Sequence, residues 1–345
     1  MAGQKSLKQR CLRWVKRGVL SGIVGLVALA LVGAIWQAFA TAADRRNFPP
    51  PGWLVDVGGH RLHIQCAGVG RLTVVLETGA LSMSALWGWV RPLAARHTRV
   101  CSYDRAGLGW SEPGSEPRDA IHISRELHTL LNNAGETPPY VLVGHSYGGL
   151  LVRMYADQHP EDVAGLLLLD SSHPDQVVRI EKVLGKPAFL ENLQESMFAS
   201  LSILARLGIL RFMLRHTGSA GRFDDLPPRA AAEFKAFFAD ASHQSAAEAE
   251  MRVWKETAGQ VRATRPLGDL PLVVISAEGT KPPSREQQVR HELHRELAAL
   301  SSRGSHRILA GTTHASLVEN RGHAAQVAEA IRELVDAAST QGKKK

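Results

Sequence analysis

Residues 140–159 read YVLVGHSYGGLLVRMYADQH, and this stretch decides how the chain is interpreted. The apolar run at 140–143 predicts a buried strand, and residues 148–159 predict a helix. Between them, residues 144–148 match the pattern G-x-S-x-G around Ser146. Glycine two positions to either side permits a sharp turn, which would expose the serine hydroxyl beside the start of a helix. We therefore predict that Ser146 is a nucleophile.

Apolar, β-branched runs recur on both sides of this stretch and are typical of strands buried on two faces. Further runs of this kind lie at 54–57, 61–65, 72–77, 98–103, 163–169, 270–276 and 306–309. Helical patterns separate them at 85–95, 119–133, 284–301 and 324–338. This alternation predicts an α/β fold with a mostly parallel central sheet flanked by helices.

About a hundred residues interrupt the alternation between the strands predicted at 163–169 and 270–276. Helical patterns at 187–214, 228–241 and 246–263 fill this insertion, and the first is strongly apolar. An insertion of this size before the penultimate strand predicts a helical cap over a site.

The N-terminal segment 18–43 contains no charged residue. As a helix it would be about 39 Å long, enough to cross a hydrocarbon core of about 30 Å. Six cations precede it, which predicts a cytoplasmic N-terminus and a catalytic domain on the other side of the membrane. A cleaved signal peptide with a site at Ala38-Phe39-Ala40 is the alternative, and would give a secreted protein. The length of the apolar stretch favours an uncleaved anchor.

The charges and the cysteines exclude some classes of protein. The chain has a net charge of +8, and nine cations lie at its two ends, so the part between is close to neutral. It therefore shows no sign of a nucleic-acid surface. Cys66 and Cys101 lie in apolar runs, and we interpret them as two small core residues. A disulfide between them is the alternative if the domain is exported.

A serine hydroxyl needs a base, and the base needs an orienting acid. His314 follows the last predicted strand and can reach the same edge of the sheet, so we predict that it is the base. Two acids fit the chain order: Asp170 ends the strand run at 163–169, and Glu278 follows the run at 270–276. His291 and His294 lack a matching set of ligands, and we interpret them as one face of a helix.

GHSYGG at 144–149 and DRAGLGWSEPG at 104–114 resemble the α/β-hydrolase superfamily, over about residues 53–338. In that family the acid usually follows the strand that 270–276 matches, but here Thr280 stands where an Asp is common. Some relatives place an Asp at the end of the preceding strand, which corresponds to Asp170. We therefore favour Asp170 over Glu278. Epoxide hydrolases and dehalogenases of this superfamily use an Asp nucleophile, and Ser146 argues against both.

The resemblance also implies an oxyanion hole made of two backbone N–H groups. One belongs to Tyr147, and the other to Ala80, with Leu81 as an alternative. We expect a serine hydrolase that cleaves an ester-type bond of a small molecule with a hydrophobic acyl group, without metal or cofactor. An amidase, a thioesterase or a perhydrolase on the same residues stays open, as does a non-catalytic binding protein on this fold.

These inferences divide the chain into six parts. The expected boundaries are a basic leader at 1–17, a membrane anchor at 18–43, a linker at 44–52, a hydrolase core at 53–170 and 265–338, a cap at 171–264, and a tail at 339–345.

Overall fold

The computed structural model describes residues 2–185, 189–216, 223–279 and 281–340, without the side chains of 2–8 and 189–196. Thr280 and the last five residues, which include the end of the predicted tail, lie outside the described residues. Parts of the predicted cap also lie outside them.

Eight strands form one mixed sheet, in the order β1-β2-β4-β3-β5-β6-β7-β8. They are β1 (Trp53–Asp56), β2 (Arg61–Ala67), β3 (Thr73–Glu77), β4 (Arg99–Tyr103), β5 (Tyr140–His145), β6 (Val163–Leu169), β7 (Leu272–Ala277) and β8 (Gly304–Leu309). The pairings from β4 to β8 are parallel, and only β1–β2 and β2–β4 are antiparallel. The predicted fold class is therefore confirmed.

The described part of the chain contains thirteen α-helices. They are α1 (Ala2–Asn47), α2 (Val90–Ala94), α3 (Ala120–Asn133), α4 (Gly148–Gln158), α5 (Gln176–Leu184), α6 (Phe189–Arg206), α7 (Ile209–His216), α8 (Pro228–Phe238), α9 (Ala241–Arg252), α10 (Trp254–Arg262), α11 (Arg285–Ala298), α12 (Ser316–Glu319) and α13 (Arg321–Ser339). Residues 84–88 form a short 3₁₀-helix, so the helix predicted at 85–95 is split in two.

Both faces of the sheet are covered, which explains why its strands are apolar throughout. Val141 and Val143 of β5 join a cluster that includes Ile331 of α13, whereas Leu142 joins a second cluster with Leu127 of α3 and Val152 of α4. Successive side chains of a strand point to opposite faces, so helices on both sides require a continuous apolar run.

The parallel register brings the ends of neighbouring strands to one edge. His145 pairs with Leu169, so Ser146 after β5 and Asp170 after β6 leave the sheet side by side. Parallel α/β sheets bind ligands at this carboxyl edge.

Helices α5–α10 lie between β6 and β7 and form the predicted cap, with different breaks. The helix expected at 187–214 is interrupted between α6 and α7 at Gly208, whose φ is +72°. The helix expected at 246–263 begins earlier, where the side chain of Asp240 caps α9, and is divided at Val253. Helix α5 was not predicted. The insertion lies where it was expected and is helical, but the positions at which one helix ends and the next begins differ from the prediction.

Helix α1 contains the apolar N-terminal segment and continues without a break to Asn47. Its stretch from Gln9 to Asn47 is long and apolar enough to cross a membrane, and the most apolar part is not buried in the protein. Its far end contacts the cap, because Gln37 donates a hydrogen bond of 2.7 Å to Ala239 O and Arg45 forms an ion pair of 3.0 Å with Asp240.

Cys66 of β2 and Cys101 of β4 form a disulfide. The two residues are direct partners in the antiparallel register, with Cα atoms 4.0 Å apart. Our interpretation of them as two separate core residues was therefore wrong, because the register that brings the two strands together could not be read from the sequence. Disulfides persist in oxidising compartments.

Candidate active site

The turn between β5 and α4 carries Ser146. Its φ is +55°, a left-handed conformation that is strained for a residue with a side chain. Its N–H donates a hydrogen bond of 3.1 Å to Leu169 O at the end of β6, and its carbonyl accepts from the N–H groups of Gly149 and Ser172. The strained residue is thus held by a strand, a helix and a loop.

Gly148 allows α4 to begin immediately behind this turn. A Cβ atom here would lie 2.6 Å from the carbonyl oxygens of both Glu77 and Thr78, closer than side-chain carbons approach backbone oxygens. The start of the helix, whose first N–H groups have no partner within the helix, therefore lies against the end of β3.

His314 lies in the loop after β8, and its ring reaches Asp170. Nδ1 of His314 is 2.5 Å from Oδ2 of Asp170, although the residues are 144 positions apart. The other carboxylate oxygen, Oδ1, accepts a hydrogen bond of 2.9 Å from the N–H of Ala277 at the end of β7. Asp170 is buried, whereas the side chain of His314 is 47% exposed.

Opposing effects act on the pKa of Asp170. Burial alone would raise it, but the hydrogen bond and the charge of His314, with smaller contributions from His294 and the Ala277 N–H, lower the pKa well below its usual range. The carboxylate is therefore ionised at neutral pH and can orient the His314 ring.

Glu278, the other candidate acid, is engaged elsewhere. Its Oε2 accepts a hydrogen bond of 2.7 Å from the N–H of Gly311, and its Oε1 is 3.0 Å from Nζ of Lys281. The contact with Gly311 connects the end of β7 to the loop after β8, a few residues before His314. The structure thus brings His314 to Asp170, and Glu278 supports the same loop from outside.

The loop 78–81, which follows β3, lies against Ser146. A Cβ atom at Gly79 would be 3.0 Å from Cβ of Ser146. Ala80 and Tyr147, predicted to supply the two N–H donors, line the same cavity as Ser146. Neither of these two N–H groups donates a hydrogen bond to a backbone carbonyl of the described residues. Leu81, the alternative donor, has a φ of +56°.

A cavity of about 1300 Å³ lies between the sheet edge and the cap. Its floor includes polar groups from the loops, and its upper part includes apolar side chains from the cap. The first set contains Ser146, Asp170 and His314, and the second contains Ile180, Met197, Phe198 and Trp254.

A family model described as the alpha/beta hydrolase fold matches residues 73–279. The chain belongs to this family. The matched range runs from β3 to the end of β7 and includes Ser146, Asp170 and the cap.

Relatives and solved structures extend this finding. The chain is 35% identical over 127 residues to a probable transporter from Hormonema carpetanum, covering 34% of this chain and 18% of that protein. It is 32% identical over 152 residues to the human (lyso)-N-acylphosphatidylethanolamine lipase, covering 43% of this chain and 41% of that protein. A thermophilic esterase from Thermogutta terrifontis superposes with a TM-score of 0.61 at 19% identity, covering 83% of this chain and 98% of that one. The chain spans less than half the length of the curated relatives it matches.

Three features of this alpha/beta hydrolase were missed by the sequence analysis, and His145 is the first. Its ring stacks on that of His314 with centroids 4.6 Å apart, and its Nε2 lies 3.2 Å from His314 O. Burial, with a smaller effect of the His314 charge, lowers the pKa of His145 to about 3. A neutral ring thus packs against the proposed base. The residue occupies a variable position of the G-x-S-x-G pattern, so the pattern gave no signal.

Arg105 is the second, and it is almost fully buried. Its guanidinium donates hydrogen bonds of 2.9 Å to Thr78 O and 3.0 Å to Gly79 O, in the loop beside Ser146. It also pairs with Glu77 at 2.6 Å and with Glu250 of α9 at 2.7 Å. One side chain therefore connects the cap to the loop that carries Ala80. Residues 104–114 entered the sequence analysis only as part of the family resemblance, and Arg105 was given no role there.

His294, interpreted as part of a helix face, is the third. It is buried behind Asp170, with Nδ1 3.9 Å from Oδ1 of Asp170 and Nε2 2.9 Å from Ser171 O. Ser276 Oγ lies 2.6 Å from His294 Nδ1 and 2.7 Å from His306 Nε2. These hydrogen bonds hold the His294 ring in place behind Asp170. His291 points to another carbonyl, that of Ala277, at 2.9 Å.

Proposed function

We propose that the protein is a serine hydrolase that cleaves an ester-type bond through an acyl-enzyme intermediate. The observation that carries the proposal is the 2.5 Å contact between His314 and Asp170 at the edge where Ser146 is held with a φ of +55°. A strained serine, an imidazole and a buried carboxylate in one cavity are the groups that acyl transfer requires.

In the proposed first step, Ser146 Oγ attacks the ester carbonyl while Nε2 of His314 takes the hydroxyl proton. Nδ1–H of His314 donates to Asp170, whose charge stabilises the protonated ring. His314 then gives the proton to the departing alcohol, and an acyl group stays on Ser146. Water attacks this ester with His314 again as base, which releases the acid and restores the serine.

The negative charge on the carbonyl oxygen needs hydrogen-bond donors during both attacks. We assign this role to the N–H groups of Tyr147 and Ala80, which are next to Ser146 and to Gly79. A donor of this kind contributes roughly 3–4 kcal/mol to lowering the barrier. Tyr147 also precedes α4, so the dipole of the helix adds to the effect.

The same groups could act on an amide, a thioester or a peracid, and the fold could also serve only for binding. Two observations favour an ester. A relative matched over two fifths of its length is named a lipase, and a structural neighbour is an esterase. Met197, Phe198 and Trp254 give the cavity an apolar upper part that suits an acyl chain.

A fluorophosphonate probe tests this proposal in the full-length protein. We expect stoichiometric labelling of Ser146 and hydrolysis of 4-methylumbelliferyl butyrate, both abolished by Ser146→Ala. Ser172→Ala is the matched control, because it removes another hydroxyl from the same cavity and keeps the backbone bond to Ser146. Absence of labelling in the folded parent would favour a binding protein, and turnover of amides but not esters would favour an amidase.

For the topology, we propose that α1 crosses the membrane with its N-terminus in the cytoplasm and the catalytic domain on the other side. Six cations before the apolar segment support this orientation. The Cys66–Cys101 disulfide also supports it, because such bonds persist in oxidising compartments.

A further inference from the structure

Two consecutive cap helices expose large apolar side chains. They include Met197 and Ile203 on α6 and Ile209 and Phe212 on α7, with Ile203 56% and Phe212 55% exposed. We call these four residues the α6–α7 face. Single exposed apolar residues are ordinary, but a group on adjoining helices is typical of a surface that contacts another apolar phase.

The other sides of the same helices are packed on the protein. Ser202 Oγ of α6 is 3.0 Å from Ser245 Oγ of α9, and Ala205 is fully buried. On α7, Leu210 and Arg211 are buried. One side of each helix is therefore packed on the rest of the cap, and the opposite, apolar side faces outward.

The corner between α6 and α7 lies against the membrane helix. A Cβ atom at Gly33 of α1 would be 2.3 Å from Leu207 O, so the two backbones touch. Four residues further along α1, Gln37 accepts a hydrogen bond of 2.8 Å from Nε of Arg211. The guanidinium of Arg215 lies 5.7 Å from the ring of Trp36.

Because these contacts lie at known positions along α1, they indicate how deep the corner between α6 and α7 lies in the membrane. A hydrocarbon core of about 30 Å takes roughly 20 helical residues, which from Gly18 ends near Gln37. Gly33 would then lie about 6 Å inside that boundary. Helices that rest in the interface bury their apolar side to about 5–10 Å. The α6–α7 face thus begins at interfacial depth.

The position of the α6–α7 face indicates what it contacts. Helix α7 spans about 12 Å, which is too short to cross the bilayer, and it is bent by 91° relative to residues 197–206 of α6. Arg206 and Arg215, exposed at their ends, suit phosphate head groups. A lipid surface continuous with the one around α1 is therefore favoured over a protein partner.

The same surface adjoins the cavity. Met197 belongs to the α6–α7 face and also lines the cavity, next to Phe198. The acyl chain of a lipid that leaves the bilayer at Met197 would enter the apolar upper part of the cavity, above Ser146, without passing through water.

We propose that the α6–α7 face rests in the leaflet where α1 leaves the membrane, and that the cavity takes a long-chain acyl ester from that leaflet. Ser146 would accept the acyl group, the lipid alcohol would leave with the proton from His314, and water would release the fatty acid. The substrate class rests on the proposed function, whereas the membrane contact does not.

A fluorescent label tests the membrane contact. In a Cys11→Ser background, Phe212→Cys is labelled with nitrobenzoxadiazole, and the full-length protein is reconstituted in phosphatidylcholine–phosphatidylglycerol vesicles. We expect doxyl-labelled lipid to quench the fluorescence of this label, and we expect iodide in the water to quench it only weakly. The control is Val69→Cys, because Val69 is 85% exposed near the start of β4, at the other end of the sheet. Equal iodide quenching at both positions would overturn the proposal.

Activity tests the substrate class. Ile203→Ser/Phe212→Ser is expected to lower hydrolysis of 4-methylumbelliferyl oleate in those vesicles by at least tenfold, with less than a twofold change for soluble 4-methylumbelliferyl butyrate. Val69→Ser/Ile308→Ser removes two exposed apolar side chains outside the α6–α7 face and should change neither rate. An equal loss on both esters, or no loss, would contradict the lipid route. If the parent hydrolyses neither ester, the proposed function fails, and the label still decides whether the face meets lipid.

Discussion

Asp170 uses both carboxylate oxygens, one for His314 and one for the N–H of Ala277. It is buried in a left-handed conformation with a φ of +40°. A residue held in this way at the end of a strand can fix the ring of His314 in one orientation and one tautomer. The role proposed for it therefore depends on its charge, and a neutral isostere would keep the shape but lose the effect.

Asp170→Asn is expected to lower kcat by about 10³–10⁴-fold, because the amide cannot stabilise a protonated His314 and favours the wrong tautomer. Glu278→Gln should change kcat by less than about threefold, since the Glu278 side chain supports the loop after β8 through Gly311 and otherwise pairs with the exposed Lys281. Ester turnover by the two variants at saturating substrate measures both effects. The reverse pattern would transfer the role of the acid to Glu278.

The buried His145 leads to a prediction of how the free energy of unfolding depends on pH. Its pKa is lowered to about 3 in the folded protein by burial, whereas an unfolded histidine titrates near 6.5. Between these values the unfolded chain binds the extra proton, so stability falls as the pH drops from about 6.5 towards 3. His145→Asn should remove up to about 1.4 kcal/mol per pH unit from that slope. Thermal unfolding at several pH values compares the two slopes, and identical slopes would show that His145 is not kept neutral.

At the scale of elements, helix α9 of the cap reaches the loop beside Ser146 in two places. Glu250 does so through Arg105, and Nε2 of His243 lies 3.2 Å from Leu81 O. The cap is therefore part of the support of the proposed oxyanion hole as well as its cover. Changes in α9 can affect catalysis without touching substrate.

Arg105→Gln leaves the carboxylates of Glu77 and Glu250 buried without their cation. We expect a loss of about 3–5 kcal/mol in stability, as for other broken buried pairs, together with a fall in kcat. Arg61→Gln is the control, because it breaks an exposed pair with Glu112 and should change little. Unfolding in denaturant and ester turnover are the measurements. Equal stability of the two variants would argue against a supporting role for Arg105.

The elements of the core were predictable, because a sheet covered on both faces needs apolar runs such as 140–143 and 163–169. The position of His314 followed from the strand before it. The cap was less predictable, since a helical pattern alone does not show where a helix turns. Gly208, which separates α6 from α7, was the available signal. The contacts of His145, Arg105 and His294 depend on residues distant in the chain, and no local pattern encodes them.

At the scale of the whole molecule, the anchor and the cap are joined by polar contacts. Arg211 of α7 bonds to Gln37 and forms an ion pair with Asp44 of α1. Cleavage after Ala40 would remove Gln37 and leave a buried guanidinium with one partner fewer. This contact favours retention of α1 over a cleaved signal peptide.

Thiol counting tests the orientation. Protein taken directly from cells and denatured without reductant should react with maleimide only at Cys11, and at three cysteines after reduction, because an exported domain keeps Cys66 and Cys101 joined. Protease added from outside should digest the domain in spheroplasts or right-side-out vesicles. Three free thiols before reduction, with a protected domain, would place it in the cytoplasm.

Helix α1 runs unbroken from the apolar segment to Asn47, and its last turns are fastened to the cap. In the proposed topology, a domain mounted this way cannot rotate freely on a flexible tether, so the entrance of its cavity keeps a fixed height and orientation relative to the membrane surface. For the proposed lipid ester, enzyme and substrate then meet by diffusion in two dimensions, and turnover should scale with their densities in the membrane, not with their concentrations per volume.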